Sequence, residues 1–241
     1  DVRGAGASTA PSSRAGYRLE ELVSDLVAVL DHVTPAGEPV HLVGHDWGSI
    51  QLWGAVLTES DDERLRGRIA SFTSISGPAL ELVGHFVRDA VEHRRLGTLG
   101  RQLLRSWYVG AFQVPVLPGL VVGALGRPLR RALEQTQRIT PSHWSRSFPG
   151  DARRGINLYR ANRVRFGRPV TDVPVQVVVP TKDAFVGPAL LADVALLAPD
   201  VQRVDVVAAH WVVRTEPEVV ADAVRAFAAD VEARHLTSRE A

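Results

Sequence analysis

The stretch Gly44-His45-Asp46-Trp47-Gly48 sets a carboxylate between two glycines, where a short apolar run meets a helical one. A sharp strand-to-helix bend strains its central residue, so small residues are expected two positions away on either side. The bend lifts the central side chain above the C-terminal edge of a sheet. It also aims the first amides of the next helix at the reacting centre, favouring negative charge there. Serine usually stands at such a bend, attacks carbonyls and leaves an acyl-enzyme. A carboxylate suits displacement at a saturated, polarised carbon, which leaves an alkyl ester of Asp46. Water must then attack the carbonyl of that ester. Epoxides and alkyl halides are the substrates for such chemistry. Alone, these five residues fit a glycine-rich turn with a capping Asp equally well.

Hydrolysing the ester needs a general base, usually His. His210 follows the last strand-like run and precedes Trp211 and the final helix. The base needs an acid to hold its tautomer. Asp183 lies in Thr181-Lys182-Asp183-Ala184-Phe185-Val186, just after another apolar run. An Asp in a loop is usually a turn residue, and one His among eight is usually incidental. The order nucleophile, acid, His, with each at the end of a strand, carries the set.

The elements that must position these groups alternate. Leu19, Leu22, Val23, Leu26, Leu30 and Val33 recur at helical spacing, and Pro35, Gly37 and Pro39 end that helix. Residues 40–43 read as a strand, 50–57 as a helix, and 69–75 as a strand closed by Gly77-Pro78. Residues 79–168 are Arg-rich, helical in pattern and interrupted by Pro115, Pro118, Pro128, Pro141 and Pro149. The continuous run 175–179 suits a strand buried on both faces of a parallel sheet. A helix, a strand at 201–207 and a closing helix at 216–231 follow, the last with Glu216 and Glu218 at its start. This alternation predicts an α/β fold: a mostly parallel sheet flanked by helices. The expected core is 1–78 and 169–241, and the expected inserted helical cap is 79–168.

With these residues in place, the chain resembles the epoxide hydrolase branch of the α/β-hydrolase family. His45-Asp46-Trp47-Gly48, Lys182-Asp183-Ala184-Phe185-Val186 and His210-Trp211 are similar to that branch, and Asp1-Val2-Arg3-Gly4-Ala5-Gly6-Ala7-Ser8 resembles its D-x-R-G-x-G-x-S loop. The run from Ser71 to Pro78 and the cap are similar to actinobacterial proteins that join such a hydrolase to a short-chain dehydrogenase. Two departures stand out. Ala209 replaces the Gly that usually precedes the His, which is expected to shift the His loop slightly. The strands before the D-x-R-G loop, with their H-G-x-P motif, are missing. The resemblance implies that this motif supplies one oxyanion donor and the Trp47 backbone N–H the other.

Opening an epoxide puts charge on oxygen, so a proton donor is needed, and Tyr suits. Trp107-Tyr108-Val109-Gly110-Ala111-Phe112 is similar to the family's first cap tyrosine segment. Asn157-Leu158-Tyr159-Arg160 is similar to its N-W-Y-R segment, with Leu158 for Trp. The resemblance implies that Tyr108 and Tyr159 grip the epoxide oxygen, and that Trp47, Trp107 and Phe112 contact substrate. Aromatics packing the cap are the plain alternative. Trp144, beside His143, is read as packing. The apolar cap suggests a small apolar epoxide. A haloalkane dehalogenase would share Asp46, Asp183 and His210, with Trp47 donating to halide, but has no need of the tyrosine pair. In the missing motif, Phe at the variable position favours the epoxide hydrolase and Asn the dehalogenase. A non-catalytic binding module of the same fold is the alternative from another class.

The 241 residues include no Cys and no Met. The first absence excludes disulfides and thiolate metal sites. The second implies that Asp1 is not the native start. His41 and His45 lie on a strand and its turn and no H-E-x-x-H occurs, so neither metal nor cofactor is expected. No apolar run reaches the roughly 20 residues of a membrane-spanning helix, and 112–126 is broken by Pro115, Pro118 and glycines. Residues 79–168 carry 16 Arg against 5 acids, and the rest 12 basic against 22 acidic residues. A solvated helical surface is the plain reading, and contact of the Arg-rich cap with a membrane surface the other. No nucleic-acid motif accompanies these arginines. A cytoplasmic location, peripheral to membrane if the cap binds there, is the expectation. Lacking its first strands, the chain alone is expected to expose sheet edge and to be unstable or inactive.

Overall fold

The computed structural model describes residues 1–34, 38–140 and 146–240, the last three by their backbone. Four parallel strands, β1 (Val40–His45), β2 (Ile69–Ile75), β3 (Val175–Pro180) and β4 (Val201–Val206), form one sheet in the order β1-β2-β3-β4. Every residue of β2 and β3 is buried. Helices cover both faces of a parallel sheet, so its inner strands lose the polar alternation of a half-exposed strand. On one face Phe72, Val175, Val177 and Val179 pack with Val23, Val27 and Leu30 of α1 (Leu19–Val33) and Trp53 and Val56 of α2 (Trp47–Val56). On the other, Ile75 and Val178 meet Val206, then Val212 of α9 (Val212–Thr215) and Val220 of α10 (Pro217–Glu240).

The helix expected between the third and fourth strands is not formed. Two short 3₁₀ turns, Pro188–Leu191 and Val194–Leu196, stand there instead. Residues 181–187 are taken up by the loop around Asp183, and Pro188 and Pro199 bracket what remains. The remaining segment stays in short turns, from which Leu191, Val194 and Leu197 reach the core.

The chain divides into two compact units. One, Val23–Gln102 with Val164–Ala241, holds the sheet. The other, Asp1–Leu22 with Leu103–Arg163, is helical. The division differs from the expected 79–168 insertion. Helix α3 (Leu80–Glu92) buries Leu82, Phe86 and Ala90, and Leu82 joins the sheet's core. Helix α4 (Leu96–Arg105) runs across the boundary at Gln102.

Residues 1–22 belong with the helical unit for a polar reason. Asn162 donates to the Tyr17 carbonyl at 2.8 Å and accepts from the Leu19 N–H at 2.9 Å. Arg154 donates to the Gly4 carbonyl at 2.6 Å. The rest of this unit is α5 (Trp107–Ala111), α6 (Leu117–Ala124), α7 (Gly126–Gln137) and α8 (Phe148–Ala161). Pro35, Gly37, Pro141, His143 and Trp144 lie outside the described residues. Among the described residues no helix is long and apolar enough to cross a membrane.

Candidate active site

Asp46 sits at the bend between β1 and α2 with φ 52° and ψ −124°. A non-glycine residue there costs about 1–3 kcal/mol, and the surroundings must hold it. Its N–H donates to the Ile75 carbonyl at 3.0 Å, and its own carbonyl accepts from Ile50 at 3.0 Å, opening α2. Behind it, the Ser49 hydroxyl bonds Ser74 Oγ at 2.8 Å and the Gly77 carbonyl at 2.7 Å.

The small-residue rule holds at one expected position. A Cβ on Gly44 would sit 2.7 Å from the backbone of Ser49. One on Gly48 would meet nothing within 4 Å, because that position faces open space. The second tight position is Gly77, where a Cβ would strike the Asp46 carbonyl oxygen and lie 2.6 Å from Ser49 Cβ. Sequence spacing does not reveal Gly77, because β2 reaches the bend only through tertiary pairing.

The three expected groups of the sheet unit come together. His210 Nδ1 donates to Asp183 Oδ2 at 2.9 Å, and Nε2 faces Asp46 Oδ2 at 3.9 Å. The other Asp183 oxygen accepts the N–H groups of Phe185 at 2.6 Å and Val186 at 3.0 Å. Both Asp183 and His210 are buried, whereas the Asp46 side chain is 39% exposed, open to a reactant. The departure at Ala209 leaves the His–Asp bond in place.

Burial opposes charge on His210, but the hydrogen bond to Asp183 and the nearby Asp46 carboxylate outweigh it and push its pKa up to about 9. Burial likewise opposes ionisation of Asp183. The His210 bond, reinforced by the two backbone N–H groups, still holds it below the ordinary carboxylate value.

Two further residues belong to this site. His45 donates from Nε2 to the His210 carbonyl at 2.9 Å, and its ring lies 4.8 Å from that of His210. Burial, then the neighbouring His210 charge, push its pKa down. Phe185 sets its ring edge-on to His210 at 5.0 Å. A histidine beside Asp46 in the motif was the available signal for the first. Phe185 had none beyond its place near Asp183. Among the described residues no group of three or more His, Asp or Glu side chains is placed to hold a metal ion.

In the helical unit, Tyr108 and Tyr159 meet edge to face with centroids 5.7 Å apart. Phe112 completes the cluster at 5.6 Å from Tyr108 and 5.1 Å from Tyr159. Arg160 fixes this arrangement, donating to the carbonyls of Phe112 and Val114 at 2.6 Å each. Trp107, at the start of α5, is 69% exposed.

The strand order and the sheet-edge geometry are those of the α/β-hydrolase fold. A model of the alpha/beta hydrolase fold matches residues 1–102. The chain is 33% identical over 242 residues to the probable oxidoreductase EphD of Mycobacterium tuberculosis, covering 95% of this chain and 40% of that protein. It thus spans about two fifths of that relative's length. It is also 39% identical over 80 residues to epoxide hydrolase A of M. tuberculosis, covering 33% of this chain and 22% of that one. The Bacillus megaterium epoxide hydrolase, solved with an inhibitor, superposes with a TM-score of 0.75 at 19% identity, over 94% of this chain and 81% of that one.

Proposed function

We propose that the chain carries an epoxide hydrolase site working through a covalent ester on Asp46. The observation that carries this reading is a single imidazole with Nδ1 on Asp183 at 2.9 Å and Nε2 turned to Asp46 at 3.9 Å. The Asp46 carboxylate attacks an epoxide carbon, and that carbon's bond to the ring oxygen breaks. Tyr108 and Tyr159 donate hydrogen bonds and a proton to the oxygen, worth roughly a hundredfold to ten-thousandfold. His210 then takes a proton from water, which attacks the Asp46 ester carbonyl. The Trp47 N–H, the first amide of α2, holds the developing oxyanion. Collapse sends the His210 proton to the departing alkoxide and the acid proton of Asp46 back to the tyrosinate, which releases a vicinal diol and restores the carboxylate. Trp107 and Phe112 offer apolar and aromatic surface to a small apolar epoxide.

The raised pKa of His210 fits this order of events. Esterification removes the negative charge facing Nε2, so the pKa falls as the intermediate forms and the imidazole becomes a base when one is needed.

The test is a His210→Gln variant treated with styrene oxide. The expected result is a mass increase of one epoxide on the peptide containing Asp46. A wild-type single turnover in ¹⁸O-water should also leave label in Asp46. A haloalkane adduct with no epoxide adduct would favour the dehalogenase, and no adduct at all the binding module.

We also propose that α6 touches anionic lipid. Its sequence is wholly apolar, yet of its residues Val122 alone is buried, while Leu117 and Leu120 are 59% and 62% exposed. Arg127 and Arg131 follow, exposed, on α7. Apolar side chains beside arginines suit an anionic headgroup layer. Co-sedimentation with phosphatidylglycerol but not phosphatidylcholine vesicles is expected, and binding to neither, or equally to both, would end the idea.

A further inference from the structure

We propose that Gln102 is a positioning residue for the second half of this reaction, acting through the acid loop on His210. The inference rests on the ester mechanism. Gln102 is the last residue of the sheet unit, on the helix that continues into the other unit. Its side-chain amide uses both ends on one short stretch of backbone. Nε2 donates to the Phe185 carbonyl at 2.8 Å, and Oε1 accepts the Gly187 N–H at 3.0 Å. This is the pairing an adjacent strand would make, supplied by one side chain.

The stretch it holds is the one that defines Asp183. The N–H groups of Phe185 and Val186 fix one carboxylate oxygen, leaving the other for His210. The Phe185 ring then rests against the imidazole. With Gln102 in place, the loop backbone is tied at 185, 186 and 187, and the direction of Nε2 follows from it. Without it, these two hydrogen bonds to the loop are gone, and the loop is freer to relax. Misplacement of a base by about 1 Å is enough to cost up to a hundredfold.

Ester formation needs Asp46 and the ring-opening donors, none of which depends on this loop. Ester hydrolysis needs His210 in register. Gln102→Leu is therefore expected to slow hydrolysis of the Asp46 ester five- to twentyfold while leaving its formation within twofold. Rapid quench and mass measurement of the Asp46 peptide would follow both steps with styrene oxide in the full chain. The downfield Nδ1 proton resonance of His210 should also weaken, which a role confined to general stability would not produce at temperatures well below melting. Gln102→Glu keeps the Gly187 contact but sets an oxygen against the Phe185 carbonyl, so it too should accumulate ester. It serves as the test if the Leu variant does not fold.

Hydrolysis at the wild-type rate in either folded variant would overturn the role of Gln102, as would an equal fall in both steps. An absence of ester in wild type and in His210→Gln would instead remove the underlying mechanism.

Discussion

His45 donates its Nε2 proton to the backbone carbonyl of His210 at 2.9 Å, so the residue before Asp46 holds the loop that carries His210. The pKa of His45 is pushed down, so it makes this contact as a neutral ring. His45→Leu should slow ester hydrolysis about tenfold, the worth of one neutral hydrogen bond of about 1 kcal/mol with some loss of packing. Single-turnover hydrolysis checks it, and an unchanged rate would remove His45 from the site.

Asp183→Asn should lower kcat by roughly a thousandfold or more, because an amide no longer fixes the imidazole tautomer. The ester should persist long enough to be isolated. Wild-type turnover in this variant would mean another residue orients His210.

The pH dependence of stability should bear the mark of the triad. His210 titrates at about 9 in the folded chain and near 6.5 unfolded, so its contribution is complete below about 6.5 and is lost as pH rises through about 9. Asp183 has the opposite sign, with its contribution present above about 4 and lost as pH falls. Denaturant midpoints should therefore decline from pH 7 to 9, by roughly 1–3 kcal/mol in stability. His210→Gln should flatten that decline.

Tyr108→Phe and Tyr159→Phe should each slow ester formation, by at least tenfold, and leave hydrolysis of a preformed ester unchanged. The double variant should be worse than either. If both single variants open styrene oxide normally, the phenols only pack the cluster around Phe112.

Gly77→Ala should cost far more activity than Gly48→Ala. The first puts a methyl group against the Asp46 carbonyl, while the second enters open space. Expected losses are about a hundredfold and less than threefold, since a shifted nucleophile loses its attack geometry. Equal effects would contradict the steric account of the bend.

Much of this was legible in the sequence because it was local. The strand ahead of Asp46 shows as an apolar run, and Gly44 announces the bend. The chain order of Asp46, Asp183 and His210 survives into the sheet because the strands lie side by side in sequence order. What was missed depends on contacts between distant segments. Gly77 is tight only because β2 pairs beside β1. Gln102 matters only because α4 meets the Asp183 loop. The allotment of α3 to the sheet unit follows from Leu82, whose helical spacing says nothing about which surface it covers. The unformed helix after β3 was lost to two prolines and a committed loop.

The hydrogen bond between His45 and His210 joins residues 165 positions apart, across three strand pairings that must all be in register. Such distant closures come late when a chain refolds, because loop entropy is spent before the contact returns anything. Turnover should thus reappear after far-ultraviolet dichroism and core fluorescence have recovered, which makes catalysis the strictest gauge of a finished molecule.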